Sequence, residues 1–353
     1  MNLRKALLTP ALLIAALSLA QGPSAVLTPE VKAQTVRELA KDLREEYLDL
    51  EIGKKAADAI ESHLKANDYD SISDGQAFAD RLNKDLSEFC KDKHFDVVYS
   101  KPVWTYVNDV RHQPAAQIEN DRMWTQYNNG GLNKVERLKG NIGYISIWAF
   151  LKEDSAKLPI KAAMEFLSNT NALIVDVRDN GGGDPATVRR LCSYLFDGKP
   201  VHLENFVGGG HYQEFWTLKR VDGPRFAGKD VYVLVDKLTC SAAEALSYDL
   251  QALKRATVVG ETTWGGASVS ELDQLSDHFL VSMPIARSKN AITHTNWEGT
   301  GVKPDIAVDP KDSLNVAYTM ALKKEIERTS DPDMKKLLQQ ILKDQEAKGA
   351  GSP

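Results

Sequence analysis

Residues 172–177 read Ala-Leu-Ile-Val-Asp-Val and run straight into Arg178-Asp-Asn180-Gly181-Gly182-Gly183-Asp184-Pro185. A short apolar run bounded by turn residues has the character of a strand buried on both faces. Three consecutive glycines open backbone conformations closed to other residues and let another group approach the main chain without a Cβ in the way. Pro185 suits the first turn of a following helix. A strand, a glycine turn and a helix in that order constrain the chain toward a layered α/β domain.

The same grammar recurs. Val231 to Val235 predicts a second buried strand, followed by a short polar turn, Ser241 and a helix with Ala245, Leu246, Leu250 and Leu253 on one face. Strands are also expected over 142–147, 257–259 and 279–283, and helices over 155–169 and 185–196. Residues 25–92 read as three helices, the last opened by a Ser73/Gln76 capping box before Phe78, Leu82 and Leu86. Val97 to Tyr99 suggests a strand. The polar stretch 101–132, with Trp104, Tyr106, Trp124 and Tyr127, fits strands or a long surface loop. Residues 312–347 form a charged amphipathic helical tail.

Composition is that of a soluble globular protein: 353 residues, 42% hydrophobic, 26% charged. The net charge of −5 gives no reason to expect nucleic acid or an anionic membrane as partner. Cys90, Cys192 and Cys240 are too few and too far apart for a disulfide framework or a zinc pattern, although one pair could close in an exported protein. At the start, Arg4 and Lys5 precede a mostly apolar stretch to Ala20, with Ser18 and Ala20 as small residues at a cleavage site. The expectation is a signal peptide over 1–20, cut after Ala20, and a periplasmic or secreted product.

Four features offer chemistry. Ser241, at a strand-to-helix turn, is presented where the first free N–H groups of a helix also point, a geometry suited to a nucleophile and its oxyanion. An ordinary N-cap serine has the same sequence signature. The glycine turn 181–183 could lend backbone N–H groups to an oxyanion, or be a plain βα loop. It has neither the spacing of a dinucleotide fingerprint nor the Lys-Ser/Thr of a P-loop. His94 lies in Asp92-Lys-His94, where the helical part meets the α/β part. Glu298 precedes the tight turn Gly299-Thr-Gly301. Each of these two also fits an ordinary surface or turn residue.

Taken together, residues 139–310 resemble the C-terminal processing protease and tricorn-core superfamily of serine peptidases. The matching elements are Gly140-Asn-Ile-Gly-Tyr144, Asp176-x-Arg178-x-Asn180-x-Gly182-Gly183, Thr239-x-Ser241-Ala-Ala-Glu244, Arg255-Ala256-x-Val-Val-Gly260-Glu261-Thr and Glu298-Gly-x-Gly-Val-x-Pro304-Asp305. With Tyr69-Asp70-Ser-Ile and Asp92-Lys-His94, the helical part looks like the branch containing interphotoreceptor retinoid-binding protein. The resemblance implies a ClpP/crotonase-like core of ββα units behind an N-terminal helical domain. The implied layout is a helical domain over 21–93, a connector over 94–138, a catalytic core over 139–311 and a helical tail over 312–353.

Two departures matter. Ser/Lys members carry a lysine in the second glycine-rich loop, which here reads Trp264-Gly265-Gly266-Ala267. About forty-five residues separate His94 from Gly140, too few for a PDZ domain of ordinary size. The resemblance therefore implies a Ser241/His94/Glu298 triad. The oxyanion hole would come from Ala242 with Gly182 or Gly183. The substrate would be a peptide or protein, and neither metal nor organic cofactor is required. The same fold implies a second reading, a carrier of apolar ligands such as retinoids or fatty acids, with Phe206, Tyr212, Phe215 and Trp216 as candidate pocket walls.

Overall fold

The computed structural model describes residues 27–100, 123–124 and 126–350. The leader expected over 1–20, with its cleavage site, lies outside them, as do Trp104 and Tyr106. The described residues form two compact units that do not follow the sequence in simple order. The first combines 27–100 with 205–214 and 268–289, and the second takes the remainder.

The first unit opens with three helices, α1 (Pro29–Glu45), α2 (Leu50–Lys65) and α3 (Gly75–Leu86). Thr28 and Asp49 cap α1 and α2 through their side-chain oxygens. Asp74, one residue later than the expected Ser73, caps α3 by accepting the Ala77 N–H at 2.8 Å. A carboxylate at that position is the stronger acceptor for the positive end of a helix. The unit also holds β1 (Asp96–Tyr99). Its sheet has the order β1–β10–β5–β6, with β9 paired to β10. Here β5 is His202–Gly208, β6 His211–Trp216, β9 Ser268–Ser276 and β10 Phe279–Asn290. Phe78 packs edge-on against Tyr69 at 5.4 Å and Phe279 at 5.5 Å, which seats α3 on β10.

The second unit is the α/β layer. Its six-stranded sheet runs β11–β8–β7–β4–β3–β2. The strands are β2 (Leu132–Leu138), β3 (Ile142–Ile147), β4 (Ala172–Asp176), β7 (Asp230–Val235), β8 (Thr257–Gly260) and β11 (Ile306–Ala307). Only β2 is antiparallel to its neighbour. Every residue of β4 is buried, as a two-sided strand requires. Leu173 and Val175 face one core with α4 (Glu153–Phe166), α5 (Pro185–Tyr194) and α6 (Ala242–Ala252). Ala172 and Ile174 face a second core with α7 (Pro310–Arg328) and α8 (Pro332–Ala350). The tail is thus two helices, interrupted before Pro332, whose Ala317, Leu322 and Leu338 are buried against the sheet. Burial of each leucine side chain contributes about 1.5–3 kcal/mol. No helix among the described residues is long and apolar enough to cross a membrane.

Candidate active site

In the second unit the turn after β7 is fixed by Asp236. Its Oδ1 accepts from Leu238 N at 3.0 Å, Thr239 N at 2.9 Å and Thr239 Oγ1 at 3.0 Å. The chain then reaches Ser241, which occupies the N-cap of α6 with φ 54° and ψ −119°. The N-caps Thr28, Asp49, Asp74, Lys152, Asp184 and Asp309 have φ from −46° to −123° and ψ from 101° to 160°. A non-glycine residue with positive φ outside the left-handed helical well is strained, by about 1–3 kcal/mol. Strain of that kind at a strand-to-helix serine is the geometry of a nucleophile elbow, and a plain capping role does not require it.

Opposite Ser241 lies the glycine turn. A Cβ built on Gly182 would stand 2.8 Å from Ser241 Cβ and 3.1 Å from Ala242 N, so only glycine permits this approach. Asn180 shapes the turn: its Nδ2 donates to Ile147 O at 2.8 Å and its Oδ1 accepts the Gly182 N–H at 2.8 Å. The Gly182 amide, expected as an oxyanion donor, is thus engaged within the turn. Ala242 N–H and Gly183 N–H face no protein acceptor among the described residues. Asp176 and Arg178, also in the shared pattern, are braces: Arg178 Nε meets Asp176 Oδ1 at 2.8 Å, and Arg178 Nη1 donates to Pro310 O at 2.6 Å.

Glu298 belongs to the same unit. It is half-buried, and its Oε2 accepts the Ala267 N–H at 2.6 Å. The preceding Trp297 is buried and donates from Nε1 to Gly266 O at 2.8 Å, while Gly299 N donates to Gly265 O at 3.0 Å. Two glycine-bearing loops are thereby zipped together and fix where the carboxylate stands.

His94 belongs to the first unit and is buried. Asp92 Oδ1 accepts the His94 backbone N–H at 2.9 Å and lies 3.4 Å from His94 Nδ1. Asp92 Oδ2 accepts from Ser268 Oγ at 2.5 Å and Arg287 Nη2 at 2.7 Å. Burial works to raise the Asp92 carboxyl, but the hydrogen bonds from His94 and Ser268 outweigh it and hold the group well below the ordinary carboxylate range. Asp92 is therefore an ionised anchor in the histidine's own unit.

Residues 141–308 match the model of Peptidase family S41, and residues 21–127 match that of the N-terminal domain of Peptidase S41 in eukaryotic IRBP. The chain belongs to peptidase family S41. It is 32% identical over 169 residues to the chloroplastic carboxyl-terminal-processing peptidase 2 of Arabidopsis thaliana, covering 46% of this chain and 31% of that one. It is 28% identical over 214 residues to the tricorn protease of Thermoplasma volcanium, covering 58% of this chain and 19% of that one. The chain thus spans a third or less of the length of these two relatives. The fold is also that of the photosystem II D1 C-terminal processing protease, with a TM-score of 0.52 at 16% identity, covering 79% of this chain and 94% of that one.

In this S41 chain Cys240 and the other two cysteines are buried free thiols. Cys240 Sγ donates to Gly181 O at 3.0 Å, and burial, aided by the nearby Glu244 charge, pushes its thiol up to about 12. It is a packing residue, as a thiol rather than a thiolate is no nucleophile. Of the candidate pocket aromatics, Phe206 and Phe215 are buried while Tyr212 and Trp216 are exposed. Two functional candidates carried no assigned role in the sequence: Asp92 and Glu244. Their only signal was membership of the motifs holding His94 and Ser241.

Proposed function

We propose that this chain is an exported serine peptidase that cleaves peptide bonds through an acyl-enzyme on Ser241, with a Ser/His/Glu triad. Ser241 Oγ attacks the scissile carbonyl while His94 accepts its proton. The imidazolium then protonates the leaving amine, and water activated by His94 hydrolyses the ester. Glu298 orients the imidazole and stabilises its charged form. Ala242 N–H and Gly183 N–H receive the oxyanion, and the bare Gly182 Cα gives the carbonyl its way in. Nothing in this sequence of proton transfers calls for a metal or an organic cofactor. Export rests on the basic and apolar segment 1–20.

The observation that carries the reading is the backbone of Ser241, φ 54° and ψ −119°, facing a turn that only glycine can supply. Membership of family S41 supports it independently.

The test is labelling with a fluorophosphonate probe. Wild type is expected to label, with Ser241→Ala blank and His94→Ala and Glu298→Gln strongly slowed. A folded wild type that neither labels nor turns over peptides, and that retains lipid through purification, would replace the peptidase by the carrier.

A further inference from the structure

Glu244 is fully buried, three residues into α6, and its carboxylate receives four hydrogen bonds from two chain segments. Oε2 accepts from Ser241 N at 2.8 Å and Gly266 N at 3.0 Å. Oε1 accepts from Thr263 Oγ1 at 2.5 Å and Gly265 N at 2.7 Å. Burying a carboxylate is unfavourable unless its oxygens are satisfied, and burial does push this carboxyl upward. Helix capping alone explains the bond to Ser241 N. It does not explain the three from residues 263–266.

Those three bonds hold the loop that places Glu298. Gly265 O accepts from Gly299 N, Gly266 O from Trp297 Nε1, and the next amide, Ala267 N, donates to Glu298 Oε2. Thr263 ties the far side, its Oγ1 accepting the Val302 N–H at 2.7 Å. One buried side chain therefore stands between the strained serine and the loop that holds the acid in place. A strained backbone persists only where its surroundings over-determine it.

We propose that Glu244 is a positioning residue for the peptidase reaction, clamping the Ser241 elbow to loop 263–267 so that nucleophile and Glu298 are held in one register. This rests on Ser241 being the nucleophile. A glutamine does not fully substitute, because in either orientation its amide nitrogen would face at least one backbone N–H, Gly265 N at the Oε1 position or Ser241 N and Gly266 N at the Oε2 position, where an acceptor is needed.

The experiment compares Glu244→Gln, Thr263→Val and Thr263→Ser with wild type in peptide turnover, fluorophosphonate labelling rate and thermal melting. Thr263→Ser keeps the hydroxyl donor, and Thr263→Val removes it at nearly constant volume. Misplacement by about 1 Å is worth about 10²-fold in rate. The expected result is a fall of about that size in kcat and labelling rate for Glu244→Gln, with KM retained. Thr263→Val should show a smaller fall of the same type, rescued in Thr263→Ser. If Glu244→Gln does not fold, the Thr263 pair carries the test. Equal kcat in Thr263→Val and Thr263→Ser, or a Glu244→Gln variant that labels at the wild-type rate, overturns the clamp. Absence of labelling in wild type overturns the nucleophile itself, a separate failure.

Discussion

Gly182→Ala is the most direct challenge to the arrangement around Ser241. The added Cβ would lie 2.8 Å from Cys240 O, 2.8 Å from Ser241 Cβ and 3.1 Å from Ala242 N. Carbon atoms settle at about 3.5–4.0 Å, so the overlap with Ser241 is about 0.7 Å or more. The turn cannot simply swing away. Gly182 O accepts the Phe150 N–H at 2.8 Å, and Gly182 N is held by Asn180. Its φ of 91° also disfavours any side chain, by about 1–2 kcal/mol. The elbow must give instead, carrying Ser241 and the Ala242 N–H with it. Displacing the proposed nucleophile and one proposed oxyanion donor together predicts a fall of about 10²–10³-fold in kcat. Overpacking should lower stability by about 1–3 kcal/mol, leaving a folded protein to assay. Peptide turnover and fluorophosphonate labelling, read beside a circular dichroism melt, make the measurement. A folded variant turning over within about threefold of wild type would refute the placement, since under 1 kcal/mol of transition-state stabilisation would then have been lost.

Three further outcomes are expected. Asp92→Asn removes an ionised anchor whose folded pKa lies below its unfolded value. Its stabilising effect is present above the unfolded pKa and fades as pH falls toward the folded one. The variant should be about 1–3 kcal/mol less stable at pH 7, with the gap narrowing below about pH 4 in denaturant titrations. Asp42 behaves oppositely. Burial, then the charges of Asp273 and Glu46, raise its carboxyl from 3.8 to about 7, so folding takes up a proton and stability declines as pH rises through that window. Asp42→Asn should flatten the decline and add about 1–2 kcal/mol above pH 7 after allowance for its partial exposure, and an unchanged pH–stability curve would count against this. Leu322→Ala should cost about 2–5 kcal/mol in urea unfolding, whereas a helix merely trailing in solvent would lose almost nothing.

The strands of the second unit were readable because β3, β4 and β7 are buried on both faces and leave unbroken apolar runs. The β9 strand was not. Its sequence Ser-Val-Ser-Glu-Leu-Asp-Gln-Leu-Ser is polar, yet Ser270, Glu271 and Asp273 are buried in it. Tertiary pairing overrides the local signal there, since β10 supplies partners from Ser268 to Ser276. The edge strand β2 hid for the converse reason, being largely exposed. Among the candidate site residues, Ser241 and the glycine turn were legible through the strand–turn–helix pattern. The reach of Glu244 to residues 263–266 depends on two loops distant in sequence, and no local pattern encodes it. The single helical tail became two helices because Pro332 cannot continue the first.

The first unit's sheet has a consequence for biosynthesis. Its strands come from residues 96–99, 205–214 and 268–289, so the helices at the chain's start lack most of their sheet until Asn290 has been made. Phe78 meets Phe279 across some two hundred intervening residues. Such distant closure is slow and leaves apolar helix faces uncovered meanwhile. A nascent chain of this kind stays open long enough to be threaded or chaperoned. No single cut in the chain separates the two units, because residues 268–289, which complete the first, lie between stretches of the second.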